Sequence, residues 1–184
     1  MADIMRDAQK RIEDIRRRTV KIVVRRDRSP VPDAQVELRM NRHQFLFGCD
    51  CYCANTYDTP EKEKRHKELF SGLFNYATLP FYWGQYEPVR GEKSEKRLSN
   101  MVEWCKSIDL STKGHPLVWH EILPDWLNSD HDIEKLIQER IEDLMERFGD
   151  QIDYWDLFNE ITVSQRFHNP VADWIEKVGK KKIG

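Results

Sequence analysis

Residues 111–160 read STKGHPLVWHEILPDWLNSDHDIEKLIQERIEDLMERFGDQIDYWDLFNE. Two short extended runs, 111 to 117 and 152 to 158, flank a stretch from about 132 to 148 in which apolar residues recur every three or four positions. A strand, a helix and a strand in that order suit parallel pairing, because the helix supplies the long crossover that parallel strands need. The same order extends upstream: 45–49 and 74–80 read as strands, followed by helices at about 60–69 and 94–108. Downstream, 170–178 reads as a last helix with Pro170 in its first turn. The expected class is α/β, with about four βα units from residue 43 onward.

The first 42 residues read differently. Ile4, Ala8, Ile12 and Ile15 are spaced three and four apart, which predicts a surface helix over 2–18. Runs 19–26 and 34–40 alternate around the turn-rich Ser29-Pro30-Val31-Pro32-Asp33 and predict a β-hairpin. The expected organisation is therefore 1–42 as a helix and hairpin extension and 43–184 as the βα region.

Lys and Arg total 30 against 32 Asp and Glu, a net charge of −2, so nothing draws the whole chain toward nucleic acid or an anionic membrane. The basic run 16–28 is interrupted by Asp27, and strand alternation turns its charges outward. No stretch reaches the roughly 20 apolar residues of a membrane helix, and the start lacks a leader's apolar core. As written the chain is expected to stay in the cytoplasm; an extracellular form implies a leader that was removed. Cys49, Cys51 and Cys53 alternate along one segment, with Cys105 apart, which favours buried reduced thiols over disulfides or a metal cluster.

The strongest chemical signal is Tyr154-Trp155-Asp156-Leu157-Phe158-Asn159-Glu160, an aromatic strand ending in an amide and a carboxylate. Reactive groups in βα folds gather at the carboxyl ends of strands. Glycoside cleavage needs an acid to protonate the departing oxygen and gains from a hydrogen bond to the sugar 2-hydroxyl. Asn159 and Glu160 suit those tasks if the chain bends there, since strand parity otherwise sends them apart; a helix cap with a solvated Glu is the competing reading. The preceding strand ends in Gly114-His115-Pro116-Leu117-Val118-Trp119-His120, followed by Pro124-Asp125-Trp126, so both motifs are expected at one mouth. His115 can donate to a hydroxyl and Trp119 can stack on a pyranose face. The two histidines lack a third ligand, so neither metal nor cofactor is implied. Phe81-Tyr82-Trp83-Gly84-Gln85-Tyr86-Glu87-Pro88 suits a groove wall or a packed satellite cluster equally well.

Taken together, Phe45-Leu46-Phe47-Gly48, Glu87-Pro88 with Gly91, the segment 114–120 and the segment 155–160 resemble glycoside hydrolase family 10, the endo-1,4-β-xylanases. The resemblance implies a TIM (β/α)8 barrel, of which this chain holds the N-terminal half. It implies retaining hydrolysis of xylan or a related plant-wall polysaccharide. It makes Glu160 the acid/base, with Asn159, His115, Trp119, Trp83 and Trp126 contacting sugar and His120 in support. It places the nucleophilic Glu outside this chain; Glu121, Glu87 and Asp156 are the remaining carboxylates near the motifs. Two departures mark a divergent branch: Thr78-Leu79-Pro80-Phe81-Tyr82-Trp83 replaces the family's Glu-Asn-x-x-Lys, and Ile122 stands where Gln is usual. A half-barrel is further expected to show little activity alone, to carry two open strand edges and an apolar inner face, and to self-associate. The alternative is a non-catalytic carbohydrate-binding or scaffold protein.

Overall fold

The computed structural model describes residues 2–42 and 44–179, which divide into two compact units, Met1–Asn41 and Arg42–Gly184. In the first, helix α1 (Ala2–Arg16) precedes a hairpin of β1 (Arg25–Arg26) and β2 (Ser29–Pro30). Its arms and turn differ from expectation. Asp27 and Arg28 both adopt positive φ, 51° and 72°, and close a two-residue turn whose twist matches the flanking strands. Ser29 and Pro30, read as turn residues, thereby become the second arm, and 34–40 forms no strand.

The second unit runs β3 (Gly48–Asp50), α2 (Pro60–Leu73), β4 (Tyr76–Pro80), α3 (Trp83–Tyr86), α4 (Glu95–Ser107), β5 (Ser111–His115), α5 (Ile133–Phe148), β6 (Tyr154–Trp155), a 3-10 turn (Ile161–Arg166) and α6 (Pro170–Val178). The strands pair in chain order, all parallel, with Thr78 level with Lys113 and Lys113 level with Tyr154. Thr59, Asp132 and Asn169 cap α2, α5 and α6, each accepting a hydrogen bond from a first-turn backbone N–H. This is an open, four-unit portion of a (β/α)8 barrel, as the alternation predicts.

Strand parity places the core. Ala77, Leu79, Thr112 and Gly114 point to the helical side, where they meet Leu98, Met101 and Val102 of α4 and Leu136, Leu144 and Phe148 of α5. The other face, which a closed barrel turns inward, carries Thr78, Lys113, His115, Tyr154 and Asp156, all partly or fully exposed. The expected apolar inner face is thus polar; exposed apolar bulk lies instead at Phe45, Phe47, Leu69 and Leu73, around β3 and α2. Cys49 and Cys53 are exposed while Cys51 and Cys105 are buried, because β3 ends at Asp50 and the alternation that would have aligned three thiols stops there. No described helix is long and apolar enough to cross a membrane.

Gly114 explains one small residue in this layer. A Cβ there would fall 2.3 Å from the Trp155 ring, which packs on Phe81 with centroids 4.7 Å apart. Gly114→Ala should destabilise the chain by about 1–3 kcal/mol, the usual cost of overpacking, read as a lower midpoint in urea; an unchanged midpoint would contradict this packing.

Candidate active site

The pairing of β5 with β6 continues beyond both strands. Leu117 N–H donates to the Asp156 carbonyl at 2.9 Å, Val118 N–H to Leu157 at 2.9 Å, and Asn159 N–H to Val118 at 3.0 Å. Val118 and Phe158 form a further parallel bridge. Two loop entries are thereby held side by side, and the residues that follow them meet: Trp119 Nε1–H donates to Glu160 Oε2 at 3.2 Å. Glu160 is exposed and sits in the left-handed region, φ 53° and ψ 31°. A non-glycine residue there carries some strain. It also provides the bend that lets Asn159 and Glu160 escape strict parity.

An aromatic wall stands beside this carboxylate. Tyr82 packs against Trp119 with ring centroids 5.4 Å apart and against His115 at 5.8 Å; His115 and Trp119 are 6.4 Å apart. Tyr52 stacks on His115 at 6.5 Å and meets the Tyr82 ring edge at 5.5 Å. Burial, with the Tyr82 hydrogen bond next, raises the Tyr52 hydroxyl well above its ordinary pKa, so it is present as a neutral donor.

Asp156 organises the face below. Its Oδ2 lies 2.7 Å from His115 Nδ1 and 2.9 Å from Lys113 Nζ. A carboxylate only accepts, so Nδ1 carries the proton and Nε2 is left as the variable nitrogen. Burial pushes the Asp156 carboxyl up, but the hydrogen bonds from Lys113 and His115 outweigh it and hold it below its ordinary range. His120 is completely buried, packs on Phe167 at 4.3 Å, and has neither ring nitrogen bonded to a described group. Its backbone carbonyl accepts from the α6 cap, Asn169 Nδ2, at 2.6 Å, tying the end of the 114–120 motif to α6.

The structure separates the sequence candidates. His115, Trp119 and Glu160 come together at the ends of β5 and β6, and Asn159, whose backbone N–H bonds the Val118 carbonyl, immediately precedes Glu160. Trp83 and Trp126 do not join them; they pack on each other at 6.0 Å, and both indoles bond to Glu87, at 3.2 Å and 2.9 Å. Trp83 is buried, and the cavity beside it holds only about 110 Å³, small against the roughly 300–1,000 Å³ of ligand pockets. The aromatic segment 81–88 is split by the short helix α3, which sends Tyr82 to the wall and Trp83 to the packing. Tyr52 and Lys113 escape the motif reading, while Tyr82 and Asp156 lie within the quoted segments but gain their contacts with His115 only in the fold. Parity alone links Lys113 to His115 and Tyr154 to Asp156, but Tyr52 lies in the turn after β3 and gives no periodic signal. Among the described residues no His, Cys, Asp or Glu group is arranged to hold a metal ion.

A parallel sheet backed by helices, with a carboxylate and an aromatic wall at its carboxyl edge, defines a partial (β/α)8 barrel. The sequence profile of glycosyl hydrolase family 10 matches residues 41–184, and the chain belongs to that family. It is 26% identical over 175 residues to the anti-sigma-I factor RsgI6 of Acetivibrio thermocellus, covering 91% of this chain and 22% of that protein. It is 26% identical to endo-1,4-beta-xylanase B of Thermotoga neapolitana, covering 70% of this chain and 38% of the enzyme. Among solved structures it resembles xylanase 10B of Thermotoga petrophila in complex with xylobiose, with a TM-score of 0.58 at 20% identity, covering 72% of this chain and 44% of that one. The chain therefore spans less than half the length of each of these relatives.

Acid titration tests the electrostatics. Burial lowers the His120 pKa below its ordinary 6.5, so the unfolded chain takes up that proton first and stability falls as pH drops below about 6.5. Asp156, lowered below 3.8, contributes fully above that value and loses its contribution as pH falls through and below it. Urea midpoints measured from pH 7.5 to 3 should fall in both windows. His120→Leu should flatten the upper step and Asp156→Asn should shrink the lower one, part of which belongs to Asp143, which burial pushes up but Lys93 and Arg147 hold below 3.8; a variant whose profile matches the parent contradicts its assignment.

Proposed function

We propose that this chain is the N-terminal half of a retaining endo-β-1,4-xylanase-like glycosidase, with Glu160 as acid/base. The observation that carries the reading is the Trp119 to Glu160 hydrogen bond at 3.2 Å beside the Tyr52, Tyr82 and His115 wall. A pyranose lying on Trp119 presents its C–H face to the ring and brings its bridging oxygen to the Glu160 carboxyl. In the first step Glu160 protonates the departing sugar oxygen while a second carboxylate attacks the anomeric carbon. In the second it takes a proton from water as the water oxygen bonds the anomeric carbon and the bond to the second carboxylate breaks, freeing the sugar. Asn159 donates to the 2-hydroxyl, His115 accepts from a neighbouring hydroxyl through its outward Nε2 while Nδ1–H stays on Asp156, and His120 acts only through packing. Trp83 and Trp126 support the loop from behind the wall.

The attacking carboxylate lies outside these residues in this reading. Retention needs two carboxyls about 5–5.5 Å apart. Asp156 is committed to Lys113 and His115, and Glu87 bonds the Trp83 indole and the Gly91 N–H. The chain alone consequently binds xylan-like sugars and cleaves them poorly or not at all. The unpaired edge of β3, beside an apolar groove of about 590 Å³ formed with α2, supports self-association with a second copy.

A second reading has its own support. The match to a protein named as an anti-sigma-I factor runs through 91% of this chain, which supports a role other than hydrolysis, and the aromatic wall beside Trp119 suits sugar binding without turnover. One pair of measurements separates them. Calorimetry should detect xylotriose binding, weakened about tenfold, or about 1.4 kcal/mol, by Trp119→Ala. Reducing-sugar release from xylan should stay at background. Turnover abolished by Glu160→Gln would show a nucleophile within the chain, and the absence of xylotriose binding would remove the sugar-site reading.

A further inference from the structure

Arg140, on α5, is 6% exposed, and no described carboxylate lies within ion-pair distance of it. Its guanidinium lies over the rings of Trp83 and Tyr86, 5.3 Å and 5.7 Å from their centroids. A buried charge without an acidic partner is costly, and a Met or Leu would fill the same space with less penalty. The fork does something an apolar residue cannot. Nε–H donates to the Leu117 carbonyl at 2.8 Å, and Nη2 donates to the carbonyls of Phe81 and, at 3.5 Å, Pro116.

Those acceptors belong to two different strand exits. Phe81 leaves β4 immediately beyond the ladder, its own N–H donating to the His115 carbonyl at 2.7 Å. Pro116 and Leu117 leave β5. Phe81 immediately precedes Tyr82, and Leu117 stands two residues before Trp119. One rigid, planar group on a helix therefore fixes the separation of two loops that carry facing rings of the wall.

We infer that Arg140 is a positioning residue that sets the gap between Tyr82 and Trp119 from behind the sheet. The consequence for sugar affinity rests on the proposed function; the geometric claim does not. A lysine keeps the charge but offers a single point donor, so it cannot hold both exits at once. Arg140→Lys should leave the far-UV circular dichroism intact and yet displace the Trp119 indole N–H resonance in 15N-tryptophan spectra, assigned by Trp119→Phe. The Trp104 and Trp174 indoles should stay in place.

Asp143→Asn is the control on the same helix, since Asp143 bonds Tyr86, Lys93 and Arg147 rather than the strand exits. It should lower the thermal midpoint without moving Trp119. If Arg140→Lys does not fold, Trp83→Leu, which removes one ring beside the guanidinium, should give a smaller shift of the Trp119 indole, with Trp126, its packing partner, also moving and Trp104 and Trp174 in place. Xylotriose affinity should fall at least fivefold in whichever variant moves Trp119. A Trp119 resonance unmoved in the folded variant, or moved equally by Asp143→Asn, would reduce Arg140 to general packing and overturn the inference. If the parent chain does not bind xylotriose while Trp119 still moves selectively, the sugar reading fails and the positioning claim stands.

Discussion

The site depends on the hydrogen-bonded pairing that carries β5 and β6 past their formal ends. β6 is only two residues long, Tyr154–Trp155, yet the backbone bonds of Leu117, Val118 and Asn159 extend the alignment to the threshold of both loops. Without that extension, Trp119 and Glu160 would stand at the ends of two diverging segments. With it, the left-handed backbone at Glu160 only has to turn the chain once for the carboxylate to reach the indole.

The two faces of the sheet then take different tasks. The helical face is close-packed, and Gly114 leaves room for the Trp155 ring. The opposite face departs from the bulky aliphatic layers that ordinarily fill a barrel interior. It holds a lysine and a histidine on one aspartate, below an aromatic wall. Parallel strands joined by helices of this length satisfy the backbone at modest cost. The side chains at the carboxyl edge are thus free to be chosen for chemistry rather than for packing.

Much of this was legible in the sequence, and for identifiable reasons. Helices α2, α5 and α6 begin at a side-chain cap, joined by an N-terminal proline at Thr59-Pro60 and Asn169-Pro170, and α4 is legible from its apolar spacing alone. The meeting of the 114–120 and 155–160 segments followed from their shared position at strand ends. The misreadings have local causes. The hairpin closed early because Asp27 and Arg28 accept left-handed backbone, which no hydrophobic pattern reveals. The groove-wall and packed-cluster readings of 81–88 each describe a part of it, because Tyr82 ends at the wall while Trp83 opens the one-turn helix α3 and packs on Trp126. Tyr52 and Asp156 belong to the site through tertiary neighbours, His115 above all, and motif spacing carries no record of those.

Amide hydrogen exchange read residue by residue tests the central pairing most directly. Leu117, Val118 and Asn159 should exchange as slowly as the ladder amides of β4 and β5, because each is bonded across the extended junction. Rates at those three positions comparable to those of the unpaired backbone at 34–40 would mean that the two strand exits are not held together, and the shared mouth would have no structural basis.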